Sequence, residues 1–133
     1  MDRFEHEVSV RYSDLDTYGH VNNAVYGTYC EEGRIAYAAE VIGVESVDDF
    51  PAVVASLDID FRAAVDSATS VTVSVWTTAV GETSVENAYE IEHEGRVVAE
   101  AESTMVAIDP ETGETRPIPA AWRERLAAFD GLD

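Results

Sequence analysis

The chain is 133 residues long, which fits one domain spanning 1–133 and leaves no room for a separate cofactor-binding unit. Its 46% hydrophobic and 9% aromatic residues suffice for a packed core, which excludes a disordered ground state. The 27 Asp and Glu against 8 cations, all Arg, give a net charge of −19 that repels nucleic acid phosphate and anionic lipid, so neither is expected as a partner.

Residues 4–12 alternate around Val8 and Val10 and predict a first strand, and Ser13 to Gly19 reads as an ordered turn. Asn22 and Asn23 then offer an N-cap. From Asn23 to Ile42 the chain lacks Pro, places Tyr26, Tyr29, Cys30, Gly33 and Tyr37 at spacings of three and four, and is followed by Gly43, the signature of a helix of about five turns. Its other side (Val25, Ile35, Ala36, Ala38, Ala39) is also apolar or small, so other structure is expected to enclose it. Segments 52–65, 70–80, 84–94 and 96–108 are rich in Val, Ile, Thr and Tyr. Within them Val71, Val73 and Val75 alternate with Thr72, Ser74 and Trp76, and Tyr89, Ile91 and His93 with Glu90, Glu92 and Glu94, predicting antiparallel strands with a wet, acidic face. Gly81-Glu82-Thr83 and Gly95 suit hairpins, Asp109 to Gly113 is a turn, and residues 120–129 predict a short closing helix. The class is α+β: a five-stranded antiparallel sheet wrapped around one long central helix.

Common catalytic signatures are missing. The chain has no Gly-x-Ser-x-Gly, no phosphate loop, no His-Glu-x-x-His and no Cys pair, and His6, His20 and His93 lie on different elements, so neither a metal nor a cofactor is expected. A calcium loop opening at Asp14 fails, because its twelfth position is Val25 rather than Glu. What remains is a polar stretch between the first strand and the helix: Asp14, Asp16, Gly19, His20, Asn22, Asn23 and Tyr26. A carboxylate just ahead of a helix N-terminus lies beside free backbone N–H groups and the positive end of the helix dipole, the elements acyl transfer requires. On spacing alone these are equally turn and cap residues.

The run Val10 to Arg34, with Asp14-Leu15-Asp16, Gly19-His20-Val21-Asn22-Asn23, Tyr26-Gly27-Thr28-Tyr29 and Glu31-Glu32-Gly33-Arg34 in order, resembles the hotdog-fold thioesterases of the 4-hydroxybenzoyl-CoA thioesterase type. The resemblance continues through Leu57 to Arg62, Ala101 to Thr104 and Pro117-Ile118-Pro119. It implies an acyl-CoA thioesterase of hotdog fold in which Asp16 is the nucleophile or general base. It further implies that the Asn23 N–H polarises the thioester carbonyl, that His20 and Asn22 shape the turn or orient water, and that Tyr26 lines the acyl pocket. Arg62 is the candidate contact for the coenzyme A phosphates, since the turn that often carries basic groups in this family reads Gly81-Glu82-Thr83 here. Glu31 is the fallback base; by spacing it forms an ion pair with Arg34. An acyl-carrier-protein thioesterase and a non-catalytic acyl-binding module are the alternatives. The resemblance also implies a homodimer or homotetramer.

Acids spread through amphipathic segments point to adaptation to molar salt, where the Debye length shrinks to ~3 Å. Cys30 is the sole cysteine and reads as a small buried hydrophobe. With no basic region and apolar stretch at the N-terminus, a cytoplasmic protein is expected.

Overall fold

In the computed structural model, which describes residues 3–44, 51–67 and 69–132, five strands build one antiparallel sheet. They are β1 (Phe4–Ser9), β2 (Ala52–Phe61), β3 (Ser70–Val80), β4 (Ser84–His93) and β5 (Arg96–Ala107), ordered β1-β3-β4-β5-β2. The two strands earliest in sequence are therefore the two edges. Between them the chain forms the helix α1 (Tyr26–Val41), which packs across the inner face of the sheet; α2 (Ala120–Asp130) covers one end. This is the hotdog arrangement.

The alternation read from sequence orients the strands. Val71, Val73 and Val75 are at most 1% exposed and meet Tyr89 and Ile91 on β4 and Ala99 and Ala101 on β5 beneath the helix. Register places Val73 opposite Ile91 and Tyr89 opposite Ala101. Tyr26, Tyr29, Cys30, Gly33, Tyr37 and Val41 form the stripe of α1 that faces them. Gly33 permits the closest approach: a Cβ there would stand 2.6 Å from Val73 Cγ1. Gly43, at φ +87, caps the helix by donating its N–H to Ala38 O at 3.0 Å, a left-handed conformation that favours glycine. At the far end, Tyr37 OH donates to Asp130, which also accepts the Thr77 N–H at 2.9 Å and so pins α2 to the sheet.

Four expectations need correction. The first strand stops at Ser9, because Tyr12–Asp14 coil into a 3-10 turn, and β2 stops at Phe61. The helix does not begin as α at Asn23: residues Asn23–Val25 form a 3-10 turn that runs into α1. Nor does the sheet enclose α1. It buries one face and leaves Ile35 45% exposed beside an edge strand β2 whose Val53, Val54 and Leu57 are also exposed.

Candidate active site

The loop after β1 returns on itself. Leu15 and Val21 form an isolated antiparallel bridge, and between them the Asp16 N–H donates to His20 O at 2.7 Å while Gly19 N–H donates to Asp16 O at 3.0 Å. Gly19 adopts φ +79, which the reversal needs and which favours glycine. The Asp16 side chain is held by the same turn: its Oδ1 accepts the Tyr18 N–H at 2.9 Å and the His20 N–H at 3.3 Å. One carboxylate oxygen is thus anchored, and Oδ2 accepts from no described residue. The residue itself is exposed.

Asp14 has a different role. It is half-buried, and its Oδ2 accepts the Arg11 N–H and the Tyr29 hydroxyl, both at 2.9 Å, tying the loop to the first turn of α1. Burial and this carboxylate push the Tyr29 phenol well above its usual range. The sequence offered no signal for this contact, since Tyr29 lies at ordinary core spacing.

From Val21 onward the chain is docked on the segment after β2, with the Val21 N–H donating to Val65 O at 2.8 Å. Asn22 then caps the helix, its Oδ1 accepting the Ala24 N–H at 3.0 Å. The Ala24 donor is thereby used, but the Asn23 N–H finds no acceptor among the described residues. It is a free donor at the positive end of a helix. Below it, Tyr26 is 1% exposed, its ring edge-on to Tyr29 at 6.0 Å and to Phe61 at 5.1 Å. Burial raises its phenol too.

Asp16, His20, Asn22, Asn23, Tyr26 and Arg62 all line one cleft of about 440 Å³. Phe61, Ala63 and Ala64 complete its wall; sequence reading assigned them to strand, and Phe61 was legible only as part of the run into Arg62. Arg62 reaches the rim with its guanidinium engaged by Glu100 at 2.7 Å, an exposed pair. Glu31 and Arg34 do not pair: Arg34 Nη1 instead donates to Tyr89 OH at 3.2 Å. Cys30 is fully buried, and desolvation pushes its thiol up to about 12. Among the described residues no three His, Cys, Asp or Glu side chains converge as metal ligands. Nor is any described helix long and apolar enough to cross a membrane.

Comparison with known proteins bears on what such a cleft is for. Residues 10–126 match the family model described as the thioesterase-like superfamily. The chain belongs to the thioesterase-like superfamily. A curated relative, the long-chain acyl-CoA thioesterase FadM of Escherichia coli, is 30% identical over 130 residues, covering 90% of this chain and 94% of its own. The uncharacterized protein YsmA of Bacillus subtilis is 33% identical over 112 residues, covering 84% of this chain and 76% of its own. Among solved structures, a thioesterase of Thermus thermophilus complexed with coenzyme A and Zn is 32% identical and superimposes with a TM-score of 0.86 over 96% of this chain and 93% of that one.

Proposed function

We propose that the chain is an acyl-CoA thioesterase, hydrolysing a thioester to a carboxylic acid and free coenzyme A in the cleft between the β1–α1 loop and the segment after β2. The convergence of a turn-anchored carboxylate and a free helix-terminal N–H on one cleft, in a member of the thioesterase-like superfamily, carries this reading. The activity named for FadM and the ligand named for the Thermus structure support the substrate class.

The thioester carbonyl oxygen accepts the Asn23 N–H, which stabilises the charge that develops there as the carbonyl carbon becomes tetrahedral. Asp16 acts in one of two ways. As a general base it takes a proton from water, the hydroxide adds to the carbonyl carbon, the C–S bond breaks and the thiolate recovers the proton from Asp16. As a nucleophile its Oδ2 adds directly, expelling the thiolate to leave an acyl anhydride that water then opens. Both routes need one carboxylate oxygen unengaged while the other fixes its direction, and Asp16 has that arrangement. His20 and Asn22 hold the turn and the cap; Tyr26 and Phe61 line the wall against which the acyl group begins; Arg62 reaches for the coenzyme A phosphates once Glu100 releases it.

Ile35 on α1 and Val53, Val54 and Leu57 on the edge strand β2 are exposed, and an open edge of this kind is ordinarily covered. A homodimer formed through it, with further assembly to a tetramer, and adaptation of the −19 surface to molar salt complete the proposal.

Thiol release from short, medium, long and aromatic acyl-CoAs in molar KCl is the test. Asp16→Asn is expected to lose about 10²- to 10⁴-fold in turnover with fold and oligomer intact. Single turnover in labelled water separates the routes, since only the anhydride puts solvent oxygen into Asp16. Turnover undiminished in Asp16→Asn refutes the assignment.

A further inference from the structure

A second cavity, of about 400 Å³, lies between the C-terminal half of α1 and the inner face of β2, β4 and β5, with Leu126 of α2 at one end. Its volume falls within the range of small-molecule sites. Most of its wall is hydrocarbon, from Ile35, Ile42, Val54, Val85 and Met105. Arg34 and Asn87 interrupt that wall, and each keeps donors beyond its contacts within the fold.

The first is Arg34. It donates from Nη1 to Tyr89 OH, and that phenol lies 2.6 Å from Ser103 Oγ, so its partners are neutral hydroxyls. Among the described residues no carboxylate lies within ion-pair distance of it; the arginine ion pairs present are Arg3 with Glu90 and Arg62 with Glu100. Glu31 also borders the cavity, but it is exposed and leaves the guanidinium unpaired. A guanidinium offers five N–H donors, of which this one uses a single donor. This half-buried cation therefore faces the cavity wall with no counter-charge among the described residues. The second group is Asn87, 4% exposed on β4. Its Oδ1 accepts from Thr77 Oγ1 at 3.1 Å, which leaves its amide nitrogen as a donor group at the cavity wall.

Building on the thioesterase reading, we infer that this cavity receives the far end of the acyl group and selects chains that carry a carboxylate there, with Arg34 and Asn87 as its donors. Arg34 lies about 16 Å along α1 from Asn23, so the two ends of a substrate meet separate parts of the molecule. The hydrocarbon wall holds the methylenes, and the paired donors discriminate against a terminal methyl, which would leave them unmet.

The experiment compares ω-carboxyl acyl-CoAs with unsubstituted acyl-CoAs of the same length, from about eight to about sixteen carbons, at fixed KCl. In the wild type kcat/KM is expected to favour the carboxylate series by about 10- to 100-fold at the best-fitting length, the worth of charged hydrogen bonds. Arg34→Met is expected to collapse that ratio, and Arg34→Lys to retain part of it. A merely structural Arg34 lowers both series together and leaves the ratio unchanged, which would overturn the inference. So would a wild-type preference for the unsubstituted series, a result that needs no variant to fold. Failure of the thioesterase reading looks different, because no acyl-CoA is then turned over. Calorimetric binding of the same esters decides the cavity in that case: a carboxylate preference that Arg34→Met removes supports it, and equal or absent binding of the two series refutes it.

Discussion

Two glycines on α1 make opposite predictions for the same substitution. At Gly33 an added Cβ would stand 2.6 Å from Val73 Cγ1 and 3.2 Å from both Val73 Cβ and Val75 Cγ2. Ordinary carbon contacts are about 3.5–4.0 Å, so roughly 1 Å of movement is required. Val73 cannot supply it. The residue is β-branched, fully buried and held in the ladder between His6 on β1 and Ile91 on β4. The helix must lift instead, at about 1–3 kcal/mol for overpacking, against which the better helix propensity of Ala returns up to about 1 kcal/mol. At Gly27 the same Cβ meets only Leu57 Cδ2 at 3.5 Å, an ordinary contact, and the propensity gain stands alone. Gly33→Ala should therefore lose up to about 2 kcal/mol and Gly27→Ala gain up to about 1 kcal/mol. Urea unfolding at fixed protein and KCl concentration measures both through the midpoint, provided the slope is unchanged. Lifting α1 also displaces the Asn23 N–H from the Asp16 loop, so Gly33→Ala should lose turnover out of proportion to its stability. A Gly33→Ala protein stabilised as much as Gly27→Ala would refute the close approach, and equal losses at the two sites would refute the contact argument.

Other outcomes follow from charge and protonation. Register sets Asp58 opposite Glu102 and Glu100 between Asp60 and Glu90, like charges that each cost about 0.2–1 kcal/mol. Asp58→Asn should stabilise the protein by that amount in ~0.1 M KCl and by nothing in ~2 M KCl; an equal effect at both would sink the idea. The Cys30 thiol and the Tyr26, Tyr29 and Tyr37 phenols are all raised by burial above their ordinary 9.0 and 10.0. Their folded forms keep the proton, so stability is fully present below about pH 9 and falls above it as the unfolded chain ionises, by up to about 1.4 kcal/mol per pH unit for each group. A urea midpoint constant from about pH 8 to about pH 11 would contradict this. Native Cys30 should react with a thiol reagent no faster than the protein unfolds, as stopped-flow labelling would show.

Periodicity revealed the faces of the strands but not their neighbours. Alternation at Tyr89, Ile91 and His93 states which side points inward, and all three are buried, yet nothing in it says that β1 and β2 are opposite edges. Side-chain period likewise cannot separate a true strand from apolar residues put to another use. Val65 reads as the end of β2, but its carbonyl receives the Val21 N–H instead. The polar stretch from Asp14 to Tyr26 was legible as a cluster because turn and cap chemistry repeats, and the structure brings most of it to one cleft. Asp14 is not among them: it turns inward to Tyr29 across fifteen residues, a distance no local rule covers. Arg34 is the same case in reverse. Helical spacing promised it Glu31, and the sheet offered it Tyr89.

The strand order has a consequence during synthesis. β1 pairs only with β3 and β2 only with β5, so the first two strands to emerge wait for the last three. Until β3 is complete at Val80, α1 has no sheet to cover its tyrosines, and β2 finds its partner only when residues up to Ala107 are available. Such separated pairings fold slowly and leave an apolar helix and two open strands exposed meanwhile. The many carboxylates on the nascent chain then serve a second purpose, keeping one unfinished copy from pairing with the next.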